Sequence, residues 1–123
     1  MNKVHTNNAP EAIGPYSQAV VANGMVFTSG QIAINPASGA VEAETIEEQT
    51  HQVCKNLSAV LNAAGSSLEK VVKTVCFLQN MEDFAAFNAV YAEYFTGKPA
   101  RSCVAVKQLP KNVLVEIDTI AEI

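Results

Sequence analysis

The chain has 123 residues and no Pro/Gly/Ser-rich linker or charge shift to divide it, so a single domain over residues 1–123 with a modest core is expected. Hydrophobic residues make up 49% and charged residues 16%, below the usual share of about 25%; too few charges are available to cover the surface, which points to burial of part of it in an oligomer. A formal charge of −4, with seven scattered lysines and one arginine, argues against a nucleic-acid groove and against a polybasic membrane surface.

The amino-terminal segment lacks the apolar run of a signal peptide, and no segment approaches the roughly 18 apolar residues of a membrane span. A cytoplasmic location is the default expectation. Cys54, Cys76 and Cys103 are odd in number and show no CxxC spacing, so they read as reduced thiols. His5 and His51 lie far apart and belong to no spaced ligand set, so no metal site is expected.

In chain order, the β-prone runs Ser17–Val21 and Met25–Ser29 flank Asn23-Gly24, a pair that tolerates positive φ and predicts a hairpin. Residues 35–39, Asn-Pro-Ala-Ser-Gly, read as a loop. Thr45-Ile-Glu-Glu48 has the form of a capping box, and Ile46, Val53, Leu57, Val60 or Leu61, and Ala64 recur at helical spacing up to Gly65. Val71–Leu78 is β-branched and apolar, the pattern of an interior strand, and Asn80 is placed to cap a second helix.

That helix carries Phe84, Phe87, Tyr91 and Tyr94 or Phe95 along one stripe, which reads as core packing, the alternative use being a ligand platform; Gly97 and Pro99 end it. Asn88, on the same helix, sits at the edge of the packed face or on its surface. Arg101–Val106 and Val113–Ala121 follow as strands, joined through Leu109-Pro-Lys-Asn112. The order of two strands, helix, strand, helix and two strands predicts an α+β layer with both helices on one face of a mixed sheet. Residues of both strand parities are apolar, so the helix-free face also calls for burial, as in packing around a symmetry axis.

Arg101 is the single arginine, set between apolar strand residues. Its planar donor fork matches a carboxylate in two parallel bonds, which makes a small carboxylic acid the first ligand class to consider; an ion pair is the other reading. Glu116 shares parity with Asp118 on the last strand. If Arg101 and Glu116 emerge on one side, they combine a carboxylate grip with a general base, but strand register is left open by a connection of this length.

Cys103 invites a nucleophile hypothesis that no neighbouring histidine supports, and its backbone groups are the stronger candidates for contact. Tyr16 follows the turn-forming Ile13-Gly14-Pro15 and either aims a phenol into a site or closes an edge. Ser29-Gly30-Gln31, at a strand end, offers either close backbone approach to a ligand or an ordinary bulge. No glycine pattern supports nucleotide binding.

Four separated motifs, Ile13-Gly-Pro-Tyr-Ser-Gln18, Thr28-Ser-Gly-Gln31, Pro99-Ala-Arg-Ser-Cys-Val104 and Leu109-Pro-Lys-Asn112 followed by Val115-Glu-Ile117, resemble the reactive intermediate deaminase A family, also called the YjgF family, over essentially the whole chain. The resemblance implies a chorismate-mutase-like α+β fold assembled as a homotrimer with three inter-subunit clefts. It implies hydrolysis of enamine and imine intermediates, such as 2-aminoacrylate and 2-aminocrotonate, to 2-oxo acids and ammonia, as in a 2-iminobutanoate/2-iminopropanoate deaminase. Arg101 would bind the substrate carboxylate and Glu116 would hold the water or shuttle its proton. Backbone groups of Cys103 and Gly30 would contact the substrate, Tyr16 would line the cleft from a neighbouring subunit, and Ser29 and Asn88 complete the expected substrate-binding set.

Because a 2-imino acid is already electrophilic, such a site requires no metal, nucleophile or organic cofactor. The chain departs from the family pattern in its short link Thr96-Gly-Lys98, and in Ala105 and Asp118 where glutamates are common. A non-catalytic carboxylate-binding trimer, or a regulatory or chaperone-like one, is the competing reading.

Overall fold

A computed structural model describes all of residues 1–123. Six strands form one sheet in the order β1-β2-β3-β8-β6-β7, namely β1 (Asn2–Val4), β2 (Ala19–Ala22), β3 (Met25–Thr28), β8 (Val115–Glu122), β6 (Val71–Leu78) and β7 (Ala100–Ala105). Every neighbouring pair is antiparallel except β6 and β7, which are parallel and joined by a crossover through α2 (Phe84–Tyr94). The sheet is therefore mixed, and α1 (Ile46–Ala63) and α2 lie together on one of its faces, as the element order predicts.

The local signals are realised in detail. Asn23 (φ 51°) and Gly24 (φ 72°) make the positive-φ turn between β2 and β3. The Thr45 side chain accepts from the Glu48 amide while Glu48 reaches back to the Thr45 amide, completing the capping box. Gly65, at φ 87°, ends the chain's helical course one residue after the Ala64 cap.

Three expectations are corrected. The loop over 35–39 is the tip of a small ribbon, β4 (Ile34–Asn35) paired with β5 (Ala40–Val41), too short for two-residue alternation to register in the sequence. Asn80 does cap, but its side chain accepts from Glu82 on a 3₁₀ turn, Met81–Asp83, that precedes α2. The two last strands are not neighbours, because β6 lies between β7 and β8, and the connection from 106 to 114 carries the chain past it.

The core fills the space between helices and sheet. Val53, Leu57, Val60 and Leu61 of α1 and Phe87 of α2 meet Val26, Cys76, Leu78, Val115, Ile117 and Ala121 from the sheet, all buried. Each such Val, Leu, Ile or Phe contributes about 1.5–3 kcal/mol on burial. Buried amides tie the loops to this core: Gln18 donates to the Thr6 and Pro10 carbonyls, and Asn56 donates to those of Ile32 and Ile34. No buried side-chain polar atom is left without a partner.

The opposite face of the sheet is apolar and open. Phe27 and Val104 are 41% and 49% exposed, and Val75, Phe77 and Ile120 beside them are only half-buried. No helix of the structure is long and apolar enough to cross a membrane.

Candidate active site

Sheet register decides where each candidate residue points. Arg101 pairs with Thr74, and Thr74 pairs with Thr119, so these three residues line the helix-covered side. Thr74 is fully buried there, with its hydroxyl 2.8 Å from the Tyr91 phenol oxygen of α2. Glu116 pairs instead with Phe77, whose other partner is Val104, and this set belongs to the open side. Within one chain Arg101 and Glu116 therefore stand on opposite faces with β6 between them, and the single pocket conditional on a shared side does not form.

Arg101 is held by α2. One of its terminal nitrogens, Nη1, donates to Asn88 Oδ1 at 2.7 Å, and its guanidinium carbon lies 4.8 Å from the Tyr91 ring centre and 5.4 Å from that of Phe84. Such cation–π contacts are worth about 0.5–2 kcal/mol depending on desolvation, and here they fix the plane of the fork as well. Tyr91 is itself fixed from behind by Thr74 and by stacking on Phe95, with centroids 4.4 Å apart. The aromatic stripe therefore does both jobs: Phe87, Tyr91 and Phe95 are buried, while Phe84 and Tyr91 turn ring faces to the arginine.

The groove in front of this guanidinium has a volume of about 560 Å³ and is lined in part by Asn88, Tyr91, Thr96, Lys98 and Arg101. It contains two cations and no acidic side chain. Cys103 is the β7 residue level with Cys76, one step beyond Arg101 on the same side. Burial pushes its thiol up, against the opposing pull of Arg101, so it is not an activated nucleophile. Burial likewise raises Cys76 to about 12.

A second cavity, of about 130 Å³, lies by the β3–β8 junction and is lined by Tyr16, Gly30, Gln31 and Glu116 among others. Its shape comes from a bulge. Phe27 pairs with Ile120, but the next pairing on that edge is Gln31 with Ile117, so four steps on one strand face three on the other. Gly30 sits at this extra residue, and a Cβ there would come within 2.9 Å of the Glu116 carboxyl carbon.

The absence of a Cβ at Gly30 thus leaves the space in which the Glu116 carboxyl lies over the bulge. No protein group donates a hydrogen bond to that carboxyl, and burial, followed by the nearby Asp118 charge, raises its pKa above the ordinary value of 4.5. Tyr16, 53% exposed beyond Gly14 (φ 126°), forms one wall. Ser29 is committed elsewhere as a donor, its hydroxyl bonding the Ser17 carbonyl at 2.5 Å.

The cavity contains carboxylates, Glu11 and Glu116, and no cation. It is the electrostatic complement of the groove. The sequence-predicted residues thus fall into two sets, Asn88, Arg101 and Cys103 on one side of the sheet and Tyr16, Ser29, Gly30 and Glu116 around the bulge. The supporting role of Thr74 carries no signal in the sequence; Phe84 and Tyr91 belong to the aromatic stripe and Gln31 to the Thr28–Gln31 motif, but only the packing of α2 over β6 and β7 and the bulge bring them to the site. No three His, Cys, Asp or Glu side chains converge in a geometry for a metal ion.

The profile of the protein family described as Endoribonuclease L-PSP matches residues 6–123. A RutC family protein of Synechocystis, slr0709, is 52% identical over 124 residues, covering 98% of this chain and 95% of its own. The 2-iminobutanoate/2-iminopropanoate deaminase of Salmonella typhimurium is 48% identical over 122 residues, covering 96% of this chain and 94% of its own. Among solved structures, E. coli TdcF with bound serine superposes with a TM-score of 0.94 at 40% identity, over 100% of this chain and 99% of its own. Likeness at this level, over nearly the full length, means that the chain belongs to the reactive intermediate deaminase A family, also called the YjgF family.

Proposed function

We propose that the chain hydrolyses 2-imino acids, with 2-iminobutanoate and 2-iminopropanoate as substrates, to 2-oxo acids and ammonia, in clefts assembled between the subunits of a cytoplasmic, chorismate-mutase-like homotrimer. One observation carries the reading: the groove holds a pinned guanidinium and no acid, while the cavity holds a raised carboxyl and no cation, and the two lie on opposite faces of one sheet. Each lacks what the other has. A second copy docking against the open apolar face would bring a partner's Glu116 to this chain's Arg101, and the exposed Phe27 and Val104 supply the apolar surface for it.

The chemistry follows from the parts. Arg101, with Nη1 occupied by Asn88, keeps its remaining N–H groups for the substrate carboxylate and orients C2. A water bonded to Glu116 attacks C2; its proton passes to the carboxylate as the C=N electron pair moves to nitrogen. The protonated Glu116 then returns that proton to nitrogen, giving the neutral carbinolamine, and next relays the hydroxyl proton to the amine, so that ammonia leaves as the C2–O bond becomes a carbonyl. A carboxyl whose pKa is raised by burial above the ordinary carboxylate value holds a proton more readily than an exposed one, which suits its return to nitrogen. The deaminase activity named for the Salmonella typhimurium relative and the serine bound by TdcF support this ligand class. An RNA substrate is disfavoured by the net charge of −4 and by the absence of a basic strip.

The test follows 2-aminoacrylate, generated in situ by a serine dehydratase, as it decays to pyruvate alone, with the native protein, and with Arg101→Ala of verified oligomeric state. Acceleration that disappears in the variant is expected. Native protein that leaves the decay rate unchanged would overturn the proposal and leave a carboxylate-binding trimer in its place.

A further inference from the structure

We propose that Lys98 gives the groove a second anion subsite, so that this chain favours 2-imino acids carrying a distal second carboxylate, with four or five carbons in all. The inference rests on the imine-hydrolase reading above and goes beyond it in assigning a specificity residue and a substrate class.

Lys98 is at φ 53°, a left-handed backbone conformation uncommon for an L-residue with a long side chain, and its amide donates to the Phe95 carbonyl at 3.2 Å. The next residue is Pro99, so the turn that presents Lys98 is constrained on both sides. This turn closes the short link from α2 to β7 and sets Lys98 on the rim of the groove that holds Arg101. The ammonium has no ion-pair partner: the one salt bridge of the chain joins His5 to Glu11, at the far end of the sheet order. No acidic side chain of the same chain lines the groove, so within one chain neither cation is paired there.

Dimensions favour a diacid. Three residues of extended chain reach at most about 10 Å, so the long Lys98 and Arg101 side chains can close on the two carboxylates of one small molecule. A groove of about 560 Å³ leaves room beyond an imino acid of three or four carbons. Ala92, Phe95 and Pro99 also line the groove, and their apolar surfaces would pack on the connecting methylenes without drawing either carboxylate away. Arg101, pinned on Phe84 and Tyr91, would take the carboxylate beside C2, and the more mobile Lys98 the distal one.

The experiment generates 2-iminopropanoate from alanine and 2-iminoglutarate from glutamate with amino-acid oxidases in the presence of catalase, and measures the acceleration of 2-oxo acid release by the native chain, Lys98→Met and Lys98→Arg. The readout is the ratio of kcat/KM for the dicarboxylate to that for the monocarboxylate, which cancels any common loss of activity. Lys98→Met is expected to lower the ratio about tenfold, the worth of one charge-assisted hydrogen bond, and Lys98→Arg to keep it. Monocarboxylate turnover with a ratio unmoved in Lys98→Met overturns the subsite while leaving imine hydrolysis standing. Failure of the native chain to accelerate either substrate overturns both.

Discussion

Arg101 and Glu116 lie on opposite faces of the same sheet, on strands separated by β6, with Arg101 level with Thr74 and Glu116 level with Phe77. A chain that needs both in one reaction must borrow one of them from another copy. Mixing subunits of Arg101→Ala with subunits of Glu116→Ala is therefore expected to restore activity that neither variant has alone. In randomly mixed trimers about one cleft in four pairs an intact arginine with an intact carboxyl. Recovery near that fraction after co-refolding, measured as pyruvate release, checks the arrangement, and a mixture as inactive as its components would contradict it.

Glu116 carries a stability cost that the proposed reaction would explain. Burial and the Asp118 charge raise its folded pKa above 4.5, so between 4.5 and the folded value the native state binds more protons than the unfolded one, and stability falls as pH rises through that window. Burial raises Asp118 above its ordinary 3.8, and it acts in the same direction. Glu116→Gln removes the Glu116 contribution. Its melting temperature is expected to exceed that of the native chain at pH 7 and to lose part of the pH dependence between 4 and 7, while deamination falls about 10²–10⁴-fold. Thermal melts across that range, alongside the rate assay, separate the two effects.

Gly30→Ala should act on the site while sparing the fold. Gly30 does not need a left-handed backbone, and the nearest atoms to the added methyl all belong to the flexible Glu116 side chain, its carboxyl first. We expect a stability change within about 1 kcal/mol, as for substitutions that create neither a cavity nor an unpaired buried charge. Activity should fall at least tenfold because the carboxyl is pushed from its position over the bulge, by the sensitivity of rate to small misplacements. Denaturant titration and kinetics on the same preparation test the pair of outcomes.

Thr74→Val would reach Arg101 through Tyr91. Removing the hydroxyl leaves the phenol, 2.8 Å away in the native chain, without its buried partner, which costs about 1–3 kcal/mol in urea unfolding. The loosened ring no longer fixes the guanidinium 4.8 Å above it, so KM for the imine should rise more than kcat falls. An unchanged KM would mean that Asn88 and Phe84 position the fork without the Thr74–Tyr91 bond.

Local chemistry is legible in the amino-acid sequence. The Asn23-Gly24 turn, the Thr45 and Glu48 capping box, the Val71–Leu78 strand and the aromatic stripe of α2 all depend on residues close in the chain, and each appears where its pattern places it. The four motifs likewise mark Tyr16, Gly30, Arg101 and Glu116 as a set to weigh together.

Which of these residues meet is decided only by tertiary structure. The insertion of β6 between β7 and β8 is a long-range pairing that no local preference encodes, and it sends Arg101 and Glu116 to opposite faces. The bulge that lays Glu116 over Gly30 arises from register across two strands, and the platform under Arg101 from the docking of α2 on β6 and β7. Propensity and patterning act over a few residues and so determine elements, whereas a site assembled from residues far apart in the chain depends on how those elements pack, which is set by the burial of the whole core.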